Sequence, residues 1–335
     1  MLDDLVRKYA GSYPTEADGH VDRALSNLAI MAFDIGEAGL VGNALLPVVP
    51  ADFQSDKYFV IEKDAFRRVP DQTLRAPGTR AKSIQFKVSS DSFFCKNYAL
   101  SHETPLESIR NADTAIRFRE NASALVVRAL LLDQERRIAN LVTSISNIGS
   151  GVALTGTAKW SDFANSNPLA DINTAHAFIR NATGLLPNTA VIDWDTMMVL
   201  RRHPQLLDFH KFTSGGELAD SQIRDFLKVQ TLLVAQGTIQ MDNEFTPGVT
   251  ETASVVSIWG NTVLFARTGP NTGLQSQTFG LRFRWQPDVF PANMAVAVNQ
   301  DTGPGRPKVE IVEAGYYQDE KVVARDLAYA LTTVL

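Results

Sequence analysis

The sequence predicts an α+β chain, and three observations carry that prediction. A helical stretch far longer than a globular helix needs sits near residue 125. A long basic β-hairpin precedes it, and a block of alternating helices and strands follows it. At 335 residues the chain has room for one large or two ordinary domains, each with its own core. Its 44% hydrophobic content is that of a globular protein rather than a disordered one.

Several classes are excluded at once. A net charge of −5 argues against a general polyanion binder. The start, Met1-Leu2-Asp3-Asp4, has neither the basic residues nor the apolar run of a secretory leader. The most apolar region, Leu25 to Val49, is interrupted by Asp34, Glu37 and Pro47 and cannot span a bilayer, so no membrane association is expected. Cys95 is the single cysteine, which rules out an internal disulfide and suits a reducing cytoplasm. It follows Phe93 and Phe94 and is expected to be buried as a small apolar side chain.

Residues 1 to 54 mix short helical patterns with breaks at Gly36, Gly39 and Gly42 and read as an arm that packs on something else. Residues 55 to 100 form the hairpin. Lys57-Tyr58-Phe59-Val60-Ile61 is one strand and Ser83 to Val88 the other, with a polar tip containing Pro70, Pro77 and Gly78. Lys57, Lys63, Arg67, Arg68, Arg75, Arg80, Lys82 and Lys87 stand against only Glu62, Asp64 and Asp71. The projection therefore carries +5 and leaves −10 for the rest of the chain. Those eight cations are the candidate site, a surface for docking on the acidic body of a neighbour. The interleaved Phe59, Phe66 and Phe86 leave a nucleic-acid platform open as the other reading.

Thr104-Pro105-Leu106-Glu107 combines an N-cap Thr, a Pro at the first helical position and a Glu three residues after the cap. From there to about Asn147 no Pro or Gly interrupts, and Gly149 and Gly151 end the run. A helix of about 40 residues at ~1.5 Å each would be near ~60 Å long, a strut across the molecule. A coiled coil is the alternative, but Arg119, Asp133 and Arg137 interrupt the apolar face and no strict heptad survives.

Between residues 165 and 290 helices and strands alternate. A helix is expected over Asp171 to Ala182, closed by Gly184. The strand Ala190-Val191-Ile192 leads through Asp195, as N-cap, into Thr196 to Arg202. Helical Gln222 to Leu227 precedes the strand Thr231 to Ala235. Val255 to Ile258 and Thr262 to Ala266 suggest a hairpin about Gly260-Asn261. Phe279 to Trp285 alternates again, and Lys308 to Val312 and Lys321 to Val334 supply the closing strands.

Features that suggest chemistry are sparse. Asp193 and Asp195 flank Trp194 at the end of a strand, where α/β enzymes place carboxylates; the structural reading is a cap at Asp195 and a surface position at Asp193. His176, His203 and His210 lack metal-ligand spacing. Gly269 to Gly273 and Gly303-Pro304-Gly305 lack the Lys-Ser/Thr and helix of a phosphate loop and read as turns. No nucleophile–base pair stands out, so neither a cofactor, a metal nor a catalytic residue is expected.

The order of parts and several motifs resemble the tailed-bacteriophage major capsid protein family, with its Hong Kong 97-type fold. The resemblance is strongest from Val191-Ile192-Asp193 through Leu200-Arg201-Arg202-His203-Pro204-Gln205-Leu206, Lys211-Phe212-Thr213 and Gly216 to Leu227-Lys228-Val229 and Leu233-Val234-Ala235. Ile258 to Leu264 and Tyr316 to Leu335 also resemble family segments, and the likeness extends over the chain from about residue 20.

The resemblance implies an N-terminal arm (1–54), an extended hairpin loop (55–100), a peripheral domain on a spine helix (101–164), an axial domain (165–300) and C-terminal strands that return to the peripheral domain (301–335). It further implies self-assembly through hexamers and pentamers into an icosahedral shell around the phage DNA, double-stranded and bound without sequence specificity. The shell would be built in the host cytoplasm and carried in the virion. Portal, a separate scaffolding protein and a decoration protein are the implied partners. Some members carry a long helical N-terminal extension as a built-in scaffold; here about 55 residues precede the hairpin, which suggests a separate scaffolding protein or none. Hairpin lysines are present, but no lysine, asparagine and glutamate set matches the crosslink of other members. The alternatives are an encapsulin-type cellular container, which shares the fold, and a soluble α/β enzyme using Asp193 and Asp195.

Overall fold

The structure is a computed structural model and describes residues 20–21, 39–61, 73–75, 77–81, 88–111, 118–210, 218–240, 255–269, 278–286, 295–301 and 308–335. Along the chain run β1 (His20–Val21), α1 (Gly42–Leu45), β2 (Val48–Ala51), β3 (Ser55–Ile61), β4 (Val88–Phe94), β5 (Lys96–Pro105), α2 (Leu106–Asn111) and α3 (Phe118–Thr143). Next come α4 (Ile145–Ile148), β6 (Gly151–Ala153), α5 (Pro168–Thr183), β7 (Thr189–Asp193), α6 (Trp194–Arg201), α7 (Pro204–His210), α8 (Asp220–Leu227) and β8 (Thr231–Ala235). β9 (Thr238–Gln240), β10 (Val255–Ser257), β11 (Val263–Ala266), β12 (Gly280–Trp285), β13 (Ala295–Asp301), β14 (Val309–Val322) and β15 (Ala328–Thr332) complete it.

Two sheets organise these elements. In the first, the 14-residue β14 pairs with β5 along one edge, while β13 and β12 share its other edge end to end. β2 adds in parallel to β12, and β1 borders β13. The second sheet has the order β6-β15-β11-β7-β8, with β11 antiparallel to both neighbours. Every residue of β7 and β11 is buried, as both faces of this sheet are covered. On one, Ile172, Ile179, Leu200, Ile223 and Leu227 of α5, α6 and α8 pack on Ile192, Phe265 and Leu331. On the other, Val191, Leu264 and Ala330 meet Ile138, Ala139 and Val142 of α3.

Helix α3 joins the sheets. Its first half buries Val126, Val127, Leu130 and Leu131 against Val312, Ala314 and Tyr316 of β14, and its second half enters the core of the other sheet. Its 26 residues span about 39 Å at ~1.5 Å each. The expected strut is present, but its ends need correction. Thr104 and Pro105 do not begin a helix; they are the last residues of β5, opposite Glu310 and Val309, and Leu106 N–H donates to Lys308 O at 2.9 Å. A ladder to a strand two hundred residues away satisfies the backbone and overrides the local cap signal. Residues 112–117 lie outside the description. At the far end the helix stops at Thr143, whose Oγ1 donates back to Ala139 O at 2.8 Å, and extended Ser144 separates it from α4.

Other expectations meet their structures directly. α5 begins at Pro168 with Asn167 Oδ1 accepting from Ala170 N–H, and ends in Gly184 at φ +79°. β8 spans the expected residues. The expected hairpin about Gly260-Asn261 is a turn whose arms part. β10 pairs with β9, whereas β11 lies between β15 and β7, because buried Trp259 carries the chain from one layer to the next. The two closing strands are redistributed: Val309 to Val322 is one strand, and β15 is a second, separated by a turn at Arg325–Leu327.

Candidate subunit-contact surface

The hairpin is held at its root. β3 and β4 pair from Ser55↔Phe94 to Ile61↔Val88; of the expected return strand Ser83 to Val88, only Val88 lies among the described residues. Gln54 and Cys95 close the root, with Cys95 N–H donating to Gln54 O at 2.8 Å and the Gln54 amide donating to Cys95 O at 3.1 Å. Strand alternation puts Tyr58, Asp91, Phe93 and Cys95 on one face. That face packs on the first sheet: Phe93 stacks on Phe283 at 4.3 Å between ring centroids and Tyr58 meets the same ring at 5.1 Å. Phe94 N–H donates to Asp319 Oδ2 at 3.0 Å. Cys95 is buried as expected, and burial pushes its thiol up to about 11, far from a reactive thiolate. Tyr58 donates to Asp91 Oδ2 at 2.9 Å; burial, then Asp91, raises the phenol, while the Ser92 N–H and Tyr58 hold Asp91 below the usual carboxylate range.

The opposite face of the root presents Lys57 and Phe94, both exposed. At the tip Arg75 and Arg80 are exposed, with a turn at Pro77-Gly78 between them and Gly78 at φ +83°. Lys63, Arg67, Arg68, Lys82 and Lys87 lie outside the described residues. The structure thus places three of the eight candidate cations, all solvent-facing.

A second feature escaped the sequence. Glu135, in the middle of α3, is buried and accepts the backbone N–H groups of Val41 at 2.9 Å and Gly42 at 2.8 Å. Gly42 leaves just enough room, since a Cβ there would lie 2.6 Å from Glu135 Oε2. Beside it, Arg282 reaches from β12 to Leu46 O at 2.7 Å and Asn43 Oδ1 at 2.6 Å. The segment at 39–51 is thereby fastened to both the helix and the sheet.

The carboxylate pair at the end of β7 is structural, and its roles are exchanged relative to expectation. Asp193, not Asp195, is the N-cap of α6: it is buried, accepts from Asp195 N–H at 3.3 Å and takes the Ser257 hydroxyl on its other oxygen. Burial raises its pKa, with the Ser257 hydrogen bond opposing. Asp195 is exposed in the first turn. Both Asp193 oxygens are thus engaged. His203 Nε2 lies 3.0 Å from Ser166 Oγ and His176 Nε2 3.0 Å from Leu227 O, each in its own buried contact. Among the described residues no group of three His, Cys, Asp or Glu converges on a metal site, and no helix is long and apolar enough to cross a membrane.

This architecture, two sheets on a connecting helix with an extended hairpin, has close parallels. Over 316 residues the chain is 26% identical to the major capsid protein of Pseudomonas phage JBD67, covering 91% of this chain and 98% of that one. Over 261 residues it is 26% identical to the major capsid protein of Burkholderia phage BcepMu, covering 77% and 80%. A solved phage-related protein from Bordetella bronchiseptica RB50 superposes with a TM-score of 0.70 at 22% identity, over 94% of this chain and 98% of that one. The capsid structure of cyanophage P-SCSP1u shares the fold at a TM-score of 0.52 and 12% identity, over 86% of each chain. So does a virus-like particle from Pyrococcus furiosus, at 0.52 and 13%, over 92% and 97%. No protein-family model matches. The fold is the Hong Kong 97-type fold of shell-forming proteins. The resemblance seen in the sequence holds: the proteins to which the chain is similar over most of its length are phage major capsid proteins.

Proposed function

We infer that the chain is the major capsid protein of a phage and a component of its virion. The observation that carries this is the match to a phage capsid protein over 91% of the chain and 98% of the relative. So complete a match leaves little of either chain for a different task. Copies join as hexamers and pentamers in an icosahedral shell around double-stranded DNA, which is held without sequence-specific contacts. Assembly takes place in the host cytoplasm, with a portal, a separate scaffolding protein and a decoration protein as partners. The parts divide the work as arm (1–54), hairpin (55–100), peripheral domain (101–164), axial domain (165–300) and returning strands (301–335). The hairpin cations meet an acidic neighbour; the exposure of Lys57, Arg75 and Arg80 supports this, since exposed like charges gain nothing from one another within a subunit.

The test is expression of the chain, alone and with a scaffolding protein, followed by sedimentation and negative-stain microscopy. Closed shells of uniform diameter are expected. A dispersed monomer under every condition rejects the reading. The container of enzyme cargo is separated by the contents of particles from the native source: genome-length DNA supports a capsid, and a protein cargo overturns it.

A further inference from the structure

We propose that the cleft between the end of α3, the Gly260-Asn261-Thr262 turn and the segment after β15 is a phosphate-binding site, with Lys159 and Thr262 as its principal donors. One subunit contains the whole cleft, so the site stands apart from the shell reading.

The walls come from separate stretches of chain that the core holds in place. Trp160 and Val334 are fully buried beside Leu154 and Leu331. Their backbones are tied together, Trp160 N–H donating to Val334 O at 2.8 Å and Val334 N–H to Asn261 O at 3.0 Å. Leu154 N–H donates to Thr332 O at 3.0 Å. Between these anchors lies an open cleft of about 580 Å³, within the range that small ligands occupy. Thr333 bends the chain at its edge with φ +51°, a conformation that a β-branched residue rarely takes. Its hydroxyl donates to Leu154 O at 2.8 Å and holds the bend. Backbone strain that the surroundings enforce gathers at binding sites.

The polar groups at the cleft are chiefly donors. Thr262 is 6% exposed, and its backbone is engaged on both sides, its N–H donating to Gly260 O and its O accepting from Asp193 N–H. Its hydroxyl has no hydrogen-bond partner among the described residues and opens on the cleft. A hydroxyl in so buried a residue, given no partner by its own chain, is a group left for a ligand. Lys159 is half-buried and donates one N–H to Leu335 O at 2.7 Å, which leaves two ammonium protons to donate. Asn261 adds an exposed side-chain amide at the rim. Among the described residues no Asp or Glu lines the cleft, and Lys159 is its sole charged side chain. Hydroxyl and amide donors beside one ammonium, without an acid to repel an anion, suit a tetrahedral oxyanion. Ile145 and Leu335 also line the cleft and give an apolar wall to whatever organic group carries the phosphate.

Melting of the full chain in rising inorganic phosphate, with chloride at equal ionic strength as the reference, tests the site. A short thymidine strand is the second probe. The melting temperature of wild type is expected to rise saturably with phosphate and not with chloride. Thr262→Val and Lys159→Gln should each weaken binding by about tenfold, and Thr262→Ser should retain it. Thr262→Val removes a hydroxyl that has no partner, so its unliganded melting should match wild type; should it fail to fold, Lys159→Gln decides alone. Binding of inorganic phosphate alone assigns the site to a free anion. Binding of the strand, weakened in the variants, assigns it to nucleic acid; either result supports the proposal. No saturable shift with either probe overturns it, as does an equal shift in chloride. Binding that both variants retain overturns it too, and places the anion elsewhere on the chain.

Discussion

The indole N–H of Trp259 donates to Glu135 Oε1 at 2.6 Å, joining the turn before β11 to the middle of α3 across 124 residues of sequence. Three donors from two segments meet on this carboxylate, since Val41 and Gly42 supply the others. Burial still pushes its pKa up, against those hydrogen bonds. Glu135→Ala leaves all three donors without a partner and should cost about 3 kcal/mol, read by denaturant unfolding. The pH dependence has a definite sign. A carboxyl whose folded pKa is raised contributes most below its unfolded value near ~4.3 and loses that contribution as pH rises through the folded value. Wild type minus Glu135→Gln stability should therefore decline on going from acid to neutral pH; a constant difference contradicts the assignment.

Buried His203 and His176 act in the opposite direction. Burial lowers both pKa values, assisted at His176 by Lys228 and opposed by the Leu227 carbonyl. The unfolded chain then takes up protons first, so stability is fully present above about 6.5 and falls as pH drops through the folded values. Melting temperature should decline below that point, and His203→Gln should flatten the slope. A wild-type curve level between pH 7 and 5 would contradict the assignment.

Asp193 and Asp195 separate cap from surface. Asp193→Ala removes the cap of α6 and strands the Ser257 hydroxyl, for an expected loss of about 1–2 kcal/mol. Asp195→Asn is exposed and should stay within about 0.5 kcal/mol of wild type. Chemical denaturation of the two variants decides this, and equal losses would show that the cap has been assigned to the wrong residue.

Charge on the hairpin should govern assembly and not folding. Arg67→Glu with Arg68→Glu is expected to leave the melting transition within about 0.5 kcal/mol of wild type while closed shells fail to form. Added salt should slow wild-type assembly, because exposed attraction is screened. Light scattering across a salt series, with calorimetry of the double variant, reads both; normal shells from the variant would make the charge incidental.

Local signals were legible where one stretch of chain satisfies itself. Asn167, Pro168 and Gly184 delimit α5 because caps act within a turn, and β8 reads directly from its apolar run. Distant partners defeated the reading elsewhere. Thr104-Pro105 has the local chemistry of a helix start, yet Glu310 and Val309 draw it into a ladder. Asp193 looked like a surface residue because its partner Ser257 is 64 positions away. Glu135 was one charge among many on a long helix; only the folded chain brings Val41, Gly42 and Trp259 to it. Of the candidate surface, the cations were visible as a charge excess.

The position of β15 bears on when the protein becomes competent. Residues 328–332 form an interior strand between the short edge strand β6 and β11, so β6 has no partner in the second sheet until this segment is in place. Before then β11 presents an unpaired edge, and Phe265 and Ile192 lack the cover of Leu331. Pairing this late and this distant in sequence makes for slow folding. A chain that stops before residue 328 lacks the strand that covers Phe265 and Ile192 and is expected to be left to proteolysis.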